Sequence, residues 1–113
     1  LDLLIQVDLA GEATKHGIPP DAVVPLFEAA RRCGAVRVTG LMALPPAAAD
    51  ARAARPYFAA LRALRDDLVA RGVDQSMLGD LSMGMSHDFE VAVEEGATLV
   101  RVGSAIFGER GHV

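Results

Sequence analysis

The sequence predicts an α/β fold with parallel strands, built as half of a TIM-type (β/α)8 barrel. Three observations predict it. Short apolar runs alternate four times with helix-period segments, the rhythm of a parallel sheet with helices outside. Those runs are rich in Leu, Ile and Val, as in strands buried on both faces. The last two runs, Leu81–Met83 and Thr98–Val102, each leave into a small-residue turn with a helix start behind it. In a complete barrel of about 250 residues the usual phosphate site follows strands seven and eight, beside a short helix. Four units in 113 residues therefore match the C-terminal half of such a barrel.

Taken in order, Leu3–Val7 is the first strand and ends at Asp8. Residues 11–17 (GEATKHG) form a polar loop, and Pro19-Pro20-Asp21 opens a helix with Val23, Leu26, Phe27 and Ala30 at helical spacing. Arg31 and Arg32 suit the negative end of its dipole, and Gly34 stops it. Val36–Met42 is the second strand, closed by Leu44-Pro45-Pro46, and an Ala-rich stretch covers residues 47–54. Arg55–Arg71 is a helix whose stripe is Phe58, Leu61, Leu64, Leu68 and Val69, with Gly72 at its end. Asp74–Asp80 is a connecting loop. A helix at about His87–Glu95 follows the third strand and stops at Gly96. A short segment at Ile106-Phe107-Gly108 follows the fourth.

The composition, 51% hydrophobic and 23% charged, belongs to an ordinary globular domain. A net charge of −4 without a basic tract argues against nucleic-acid or anionic-membrane binding. Cys33 is the lone cysteine, so no internal disulfide or thiolate metal cluster can form, and the expectation is a small buried apolar residue. No apolar run approaches the roughly 18 residues of a membrane span, and no secretory signal is seen, which makes the cytoplasm the expected compartment. The chain opens at Leu1, inside an apolar run and without Met. On that ground residues 1–113 are expected to be a fragment, a partial barrel domain whose earlier elements are missing.

Chemistry is expected on one edge of the sheet. Ser82, Gly84, Met85 and Ser86 make up the first turn, and Gly103 and Ser104 the second. Glycines let a backbone approach a ligand, hydroxyls add donors, and free N–H groups at a helix start suit an anion. A simple reading, Ser86 as a helix cap and the glycines as turn formers, stands beside that one. Arg101 interrupts the apolar run LVRVG two positions before the second turn. A guanidinium there needs a ligand, solvent or a carboxylate such as Asp8 or Asp80. Lys15, the sole lysine, lies in a polar loop and not on a strand in a dry pocket, so a solvated role or a pair with Glu12 is expected of it. His16, His87 and His112 show no metal spacing, and no GxSxG elbow or Walker loop is present. Asp66, Asp67, Glu94 and Glu95 read as solvated helix faces.

The stretch LSMGMSHDFEVAVEEGATLVRVGSAIFG closely resembles the C-terminal signature of the pyridoxal phosphate homeostasis proteins, the YggS or PROSC family, related to the N-terminal barrel of alanine racemase. Upstream, IQVDLAGEATKHG resembles that family's strand and G-E-x-x-K-x-G loop, and GLMALPP its next strand. The resemblance implies a TIM-type barrel that binds pyridoxal 5′-phosphate (PLP) at the C-terminal ends of its strands. It places Ser82 and the Gly84-Met85-Ser86 turn along the cofactor and its phosphate. Gly103 and Ser104 would give N–H groups and a hydroxyl to that phosphate, and Arg101 would face the pyridine nitrogen. An arginine there disfavours a protonated ring nitrogen and weakens the ring as an electron sink.

The family's Schiff-base lysine lies on an early strand in a V-S-K type motif, which this chain lacks; Lys15 resembles a different lysine. The implied function is PLP binding and intracellular PLP homeostasis as a carrier or regulator, not turnover. PLP and PLP-dependent apo-enzymes are the implied partners, with a monomeric full-length form. Two alternatives are a racemase-type PLP enzyme and a barrel enzyme acting on a phosphorylated substrate. The first needs a catalytic tyrosine, and Tyr57, the sole tyrosine, sits in a helix.

Overall fold

The structure, a computed structural model, describes residues 1–9, 17–46, 50–103, 106 and 108. Strands β1 (Asp2–Gln6), β2 (Arg37–Met42), β3 (Asp80–Met85) and β4 (Leu99–Arg101) form one parallel sheet in the order β1-β2-β3-β4. Helices α1 (Val23–Arg31), α2 (Arg55–Ala70) and α3 (Phe89–Glu94) are the crossovers between them. Strand order equals chain order, with no reversal. That is the winding of a barrel segment; a doubly wound sheet would reverse at a switch point. The expected parallel α/β arrangement is present, with four strands and three intervening helices among the described residues.

Each helix is amphipathic and buries its apolar stripe against the sheet. Phe27 of α1 and Phe58, Leu61 and Leu68 of α2 join Val38, Leu41, Leu81 and Met83 of the strands in a single cluster. Full burial of side chains of this size contributes roughly 1.5–3 kcal/mol apiece. Leu64 and Val69 pack on the cluster's margin, whereas Leu26 remains 39% exposed. Leu26 lines an apolar groove of about 390 Å³ beside β1, with Leu3, Ala29, Ala30 and Cys33. Cys33 is exposed, contrary to the buried position expected. The reason is that α1 ends at Arg31, so Cys33 falls past the last turn that packs inward.

Several boundaries differ from the expected ones. Pro20–Ala22 forms a 3-10 turn before α1, with Pro20 at its first position, where the missing N–H costs nothing. Val7 lies beyond β1, where it forms an isolated bridge with Ile18 and donates its N–H to the Met42 carbonyl at 2.8 Å. The Asp74–Asp80 connection contains a 3-10 turn, Gln75–Met77, whose cap Asp74 accepts from the Ser76 N–H at 2.9 Å. Part of the Ala-rich stretch, Ala51–Ala54, forms a 3-10 turn capped by Asp50, and residues 47–49 lie outside the described residues, as do Lys15, His16, His112, Ser104 and Phe107. β3 runs on through Gly84 to Met85, with an irregular register against β4 between Ser82 and Met85. α3 begins two residues later than expected, at Phe89.

The sheet is tightest where β2 crosses β3. Gly40 is buried opposite Asp80, and a Cβ on Gly40 would lie 2.0 Å from the Asp80 carbonyl oxygen. Only a residue without a side chain lets the two backbones pair there. Gly40→Ala is expected to destabilise the chain by about 3 kcal/mol, read as a lower denaturation midpoint in urea. A midpoint equal to that of the unsubstituted protein would refute this view of the β2–β3 contact.

Candidate functional site

The carboxyl ends of β2, β3 and β4 converge, and the residues expected to carry chemistry are distributed along them. Ser82 lies within β3, only 4% exposed, and its carbonyl accepts from the Ala43 N–H at 3.1 Å, fastening β2's end to β3. Gly84 is buried with φ +105°, a left-handed conformation that favours glycine. A Cβ there would meet the Ala92 Cβ at 2.7 Å, so the missing side chain also lets α3 settle onto β3. Met85 follows, 43% exposed, at the strand's end.

The turn after Met85 is closed by a residue that the sequence pattern marks only as part of a helix start. Asp88 is 5% exposed, and its Oδ1 accepts from the Met85 N–H at 2.7 Å. In return the Asp88 N–H donates to the Met85 carbonyl at 3.1 Å. The His87 Nε2 lies 3.4 Å from Asp88 Oδ2, with more than half of the imidazole exposed. The signal in the sequence is an Asp a few residues past a glycine turn, a residue type that readily bonds nearby backbone.

The two turns touch. The Gly103 N–H donates to the Ser86 hydroxyl at 3.0 Å, bridging the loop after β3 to the end of β4. Arg101 projects from β4 across the same edge, and one terminal nitrogen donates to the Ala43 carbonyl at 3.1 Å, at the end of β2. Its Nε is buried and has no hydrogen-bond partner among the described residues. Burial pushes the guanidinium below the usual arginine value, and the charge of Asp88 opposes that shift. Neither Asp8 nor Asp80 is its ion-pair partner. Thus Met85, Ser86, Gly103 and Arg101 are gathered at one edge, Ser82 and Gly84 support it from within β3, and Ser104 is not described. Among the described residues no cluster of His, Cys, Asp and Glu could hold a metal ion.

What holds this edge in place lies on the outer side. α3 has six residues, too few for a helix to persist alone. Its end is closed by a Schellman pattern: Ala97 N–H to the Ala92 carbonyl at 3.0 Å and Gly96 N–H to the Val93 carbonyl at 3.1 Å, with Gly96 at φ +102°. Arg55 of α2 bridges Glu94 and Glu95 at 2.6 Å each, and Arg62 reaches Glu95 at 3.3 Å. Glu95 is therefore a clamp between helices, only 14% exposed in its side chain, and not the solvated position expected. Asp66 and Asp67 are exposed on α2, as expected.

Residues 1–111 match the family described as alanine racemase, N-terminal domain. The chain belongs to that family. It is 50% identical over 109 residues to a pyridoxal phosphate homeostasis protein of Aquifex aeolicus, covering 96% of this chain and 47% of the relative. The human protein of the same name is 38% identical over 112 residues, covering 97% and 41%. The chain thus spans about half the length of the curated relatives it matches. Among solved structures, PipY of Synechococcus elongatus with PLP bound is 34% identical with a TM-score of 0.81, and it covers 95% of this chain and 49% of that one. PipY without PLP superposes with a TM-score of 0.84. No helix among the described residues is long and apolar enough to cross a membrane.

Gly84→Ala tests how the site is positioned. It is expected to cost about 2–3 kcal/mol from the left-handed backbone and the contact with Ala92. The amide signal of Gly103 should move with it, as the turn carrying Ser86 shifts. A stable variant with an unmoved Gly103 signal would contradict this assembly.

Proposed function

We propose that this chain supplies the phosphate- and ring-nitrogen-contacting half of a PLP-binding barrel that serves intracellular PLP homeostasis. The observation that carries the reading is Arg101. A buried donor without an acceptor is costly, and the unprotonated nitrogen of a pyridine ring is an acceptor of the right kind. On this reading the Arg101 Nε–H would donate to the ring nitrogen, while the bond of its terminal nitrogen to the Ala43 carbonyl fixes the side chain. The ring nitrogen is then held unprotonated, because a guanidinium does not give up its proton.

Ser86, whose hydroxyl oxygen accepts the Gly103 N–H, would donate its own O–H to the phosphate, with Gly103 holding it in place and Ser104 beside them. Gly84 lets the backbone turn, and Ser82 anchors β3 behind it. The Met85 N–H is committed to Asp88, so Met85 would serve through its exposed side chain, against the ring. Bound PLP supplies an electrophilic aldehyde and an electron-withdrawing ring. This chain's residues bind, orient and hold the ring nitrogen's protonation state. The lysine for covalent attachment would lie outside residues 1–113, in the other half of the barrel. Support comes from the family match, from relatives named for PLP homeostasis, and from the PLP-bound PipY neighbour. The full-length protein on this reading is a cytoplasmic monomer that passes PLP to apo-enzymes and performs no turnover of its own.

Titration with aldehyde-free ligands separates specific binding from chance reaction with amines. Pyridoxine 5′-phosphate is expected to bind at least about tenfold tighter than pyridoxine, and also tighter than glucose 6-phosphate. Arg101→Ala should weaken pyridoxine 5′-phosphate about tenfold or more, the worth of a charge-assisted hydrogen bond. Equal affinity for the two phosphate esters would instead favour a general phosphate site, and an unaffected Arg101→Ala variant would overturn the assignment of Arg101.

A further inference from the structure

Asp88 has no place in the signature that carries the family resemblance beyond opening a helix, and its environment is unusual for such a residue. An aspartate that merely caps a helix bonds the N–H groups ahead of it, two or three residues on. Asp88 stands at the cap position of α3 and makes no such bond. Its carboxylate turns backwards to the Met85 N–H at 2.7 Å, while its own N–H closes onto the Met85 carbonyl at 3.1 Å. The two residues therefore satisfy each other's backbone in a closed ring that contains Ser86 and His87. At 5% exposure this carboxylate is removed from water, a placement that persists only where specific donors hold it.

The ring determines where Ser86 sits. With Met85 and Asp88 tied together, Ser86 is fixed at the apex facing β4, where its hydroxyl receives the Gly103 N–H at 3.0 Å. The neighbouring acid Glu90 is exposed and takes no part in this ring. We propose that Asp88 is a positioning residue for the ligand site, its carboxylate setting the turn at Met85–Asp88 so that Ser86 and Gly103 present themselves as one unit. The role belongs to a precisely placed acceptor and not to charge alone. It rests on the reading of Ser86 and Gly103 as the phosphate grip.

The test compares Asp88→Asn, Asp88→Glu, Asp88→Ala and Glu90→Gln with the unsubstituted chain, by amide hydrogen exchange and by titration with pyridoxine 5′-phosphate. Asn keeps an oxygen at the same position, and Glu keeps the charge but moves it by a methylene. Asp88→Asn should retain slow exchange at Met85 and Gly103 and bind within about threefold of the unsubstituted chain. Asp88→Glu should lose protection at both amides and bind at least about tenfold more weakly, with Asp88→Ala matching it if it folds. Glu90→Gln should change neither readout. Retained Gly103 protection in Asp88→Glu, or loss of it in Asp88→Asn, would overturn the proposal. If the unsubstituted chain fails to bind the ligand, the PLP reading fails, and the exchange arm still decides whether Asp88 sets the turn.

Discussion

A guanidinium carried on an apolar strand has to be answered by acceptors, and the edge of the sheet is arranged around that requirement. Arg101 reaches from β4 to the Ala43 carbonyl at the end of β2, so one side chain spans the site past the intervening β3. The chain supplies this one acceptor among its described residues and leaves the Nε buried without one. Proteins rarely leave such a group unpaired, and where they do a ligand is the natural partner. The charge of Asp88, from the turn after β3, opposes the effect of burial on the same guanidinium. The site is thus a meeting of three strand ends in which each supplies what the next lacks.

The rest of the fold brings those ends to one height. The absent side chain at Gly40 lets β2 and β3 pair closely, and the left-handed Gly84 lets β3 turn away without pushing α3 off the sheet. α3 is so short that its placement depends on tertiary contacts: Val91 and Ala92 inward, and Glu94 and Glu95 clamped by Arg55 and Arg62 outward. The arginines of these outer pairs are partly exposed, so solvent screens the bonds and weakens them. The apolar contacts of Val91 and Ala92 dominate, and the ion pairs set the orientation. Sequential winding of the sheet keeps every loop that follows a strand on the same edge, which is why Ala43, Met85 and Arg101 can meet.

Much of this architecture is legible in the sequence because it rests on local rules. Continuous Leu/Ile/Val runs, helix-period stripes and glycine stops mark four parallel β/α units, and a charge interrupting LVRVG is enough to single out Arg101. What is not legible depends on partners far along the chain. Glu95 reads as a solvated residue on a helix face, and only the packing of α2 across α3 makes it a clamp. Cys33 reads as buried because cysteine ordinarily packs as a small apolar residue, yet α1 ends two residues earlier and leaves it exposed. Asp88 reads as a helix start because its residue type suits one, and its backward bond to Met85 shows only in the folded turn. The acceptor for Arg101, a backbone carbonyl at Ala43, carries no side-chain signature at all.

The ends of β3 and β4 are tied together at one edge of the sheet, and on our proposal that edge is a PLP site organised around Arg101. The most direct measurement is a titration of the isotopically labelled chain with PLP, followed at backbone amides and at the arginine Nε–H groups. The largest shifts are expected on Ser86, Gly103 and the Arg101 Nε–H, the last moving downfield as its proton acquires an acceptor, while α1 and α2 stay unmoved. Shifts concentrated on the apolar groove beside β1, or an Arg101 Nε–H indifferent to saturating ligand, would contradict that organisation.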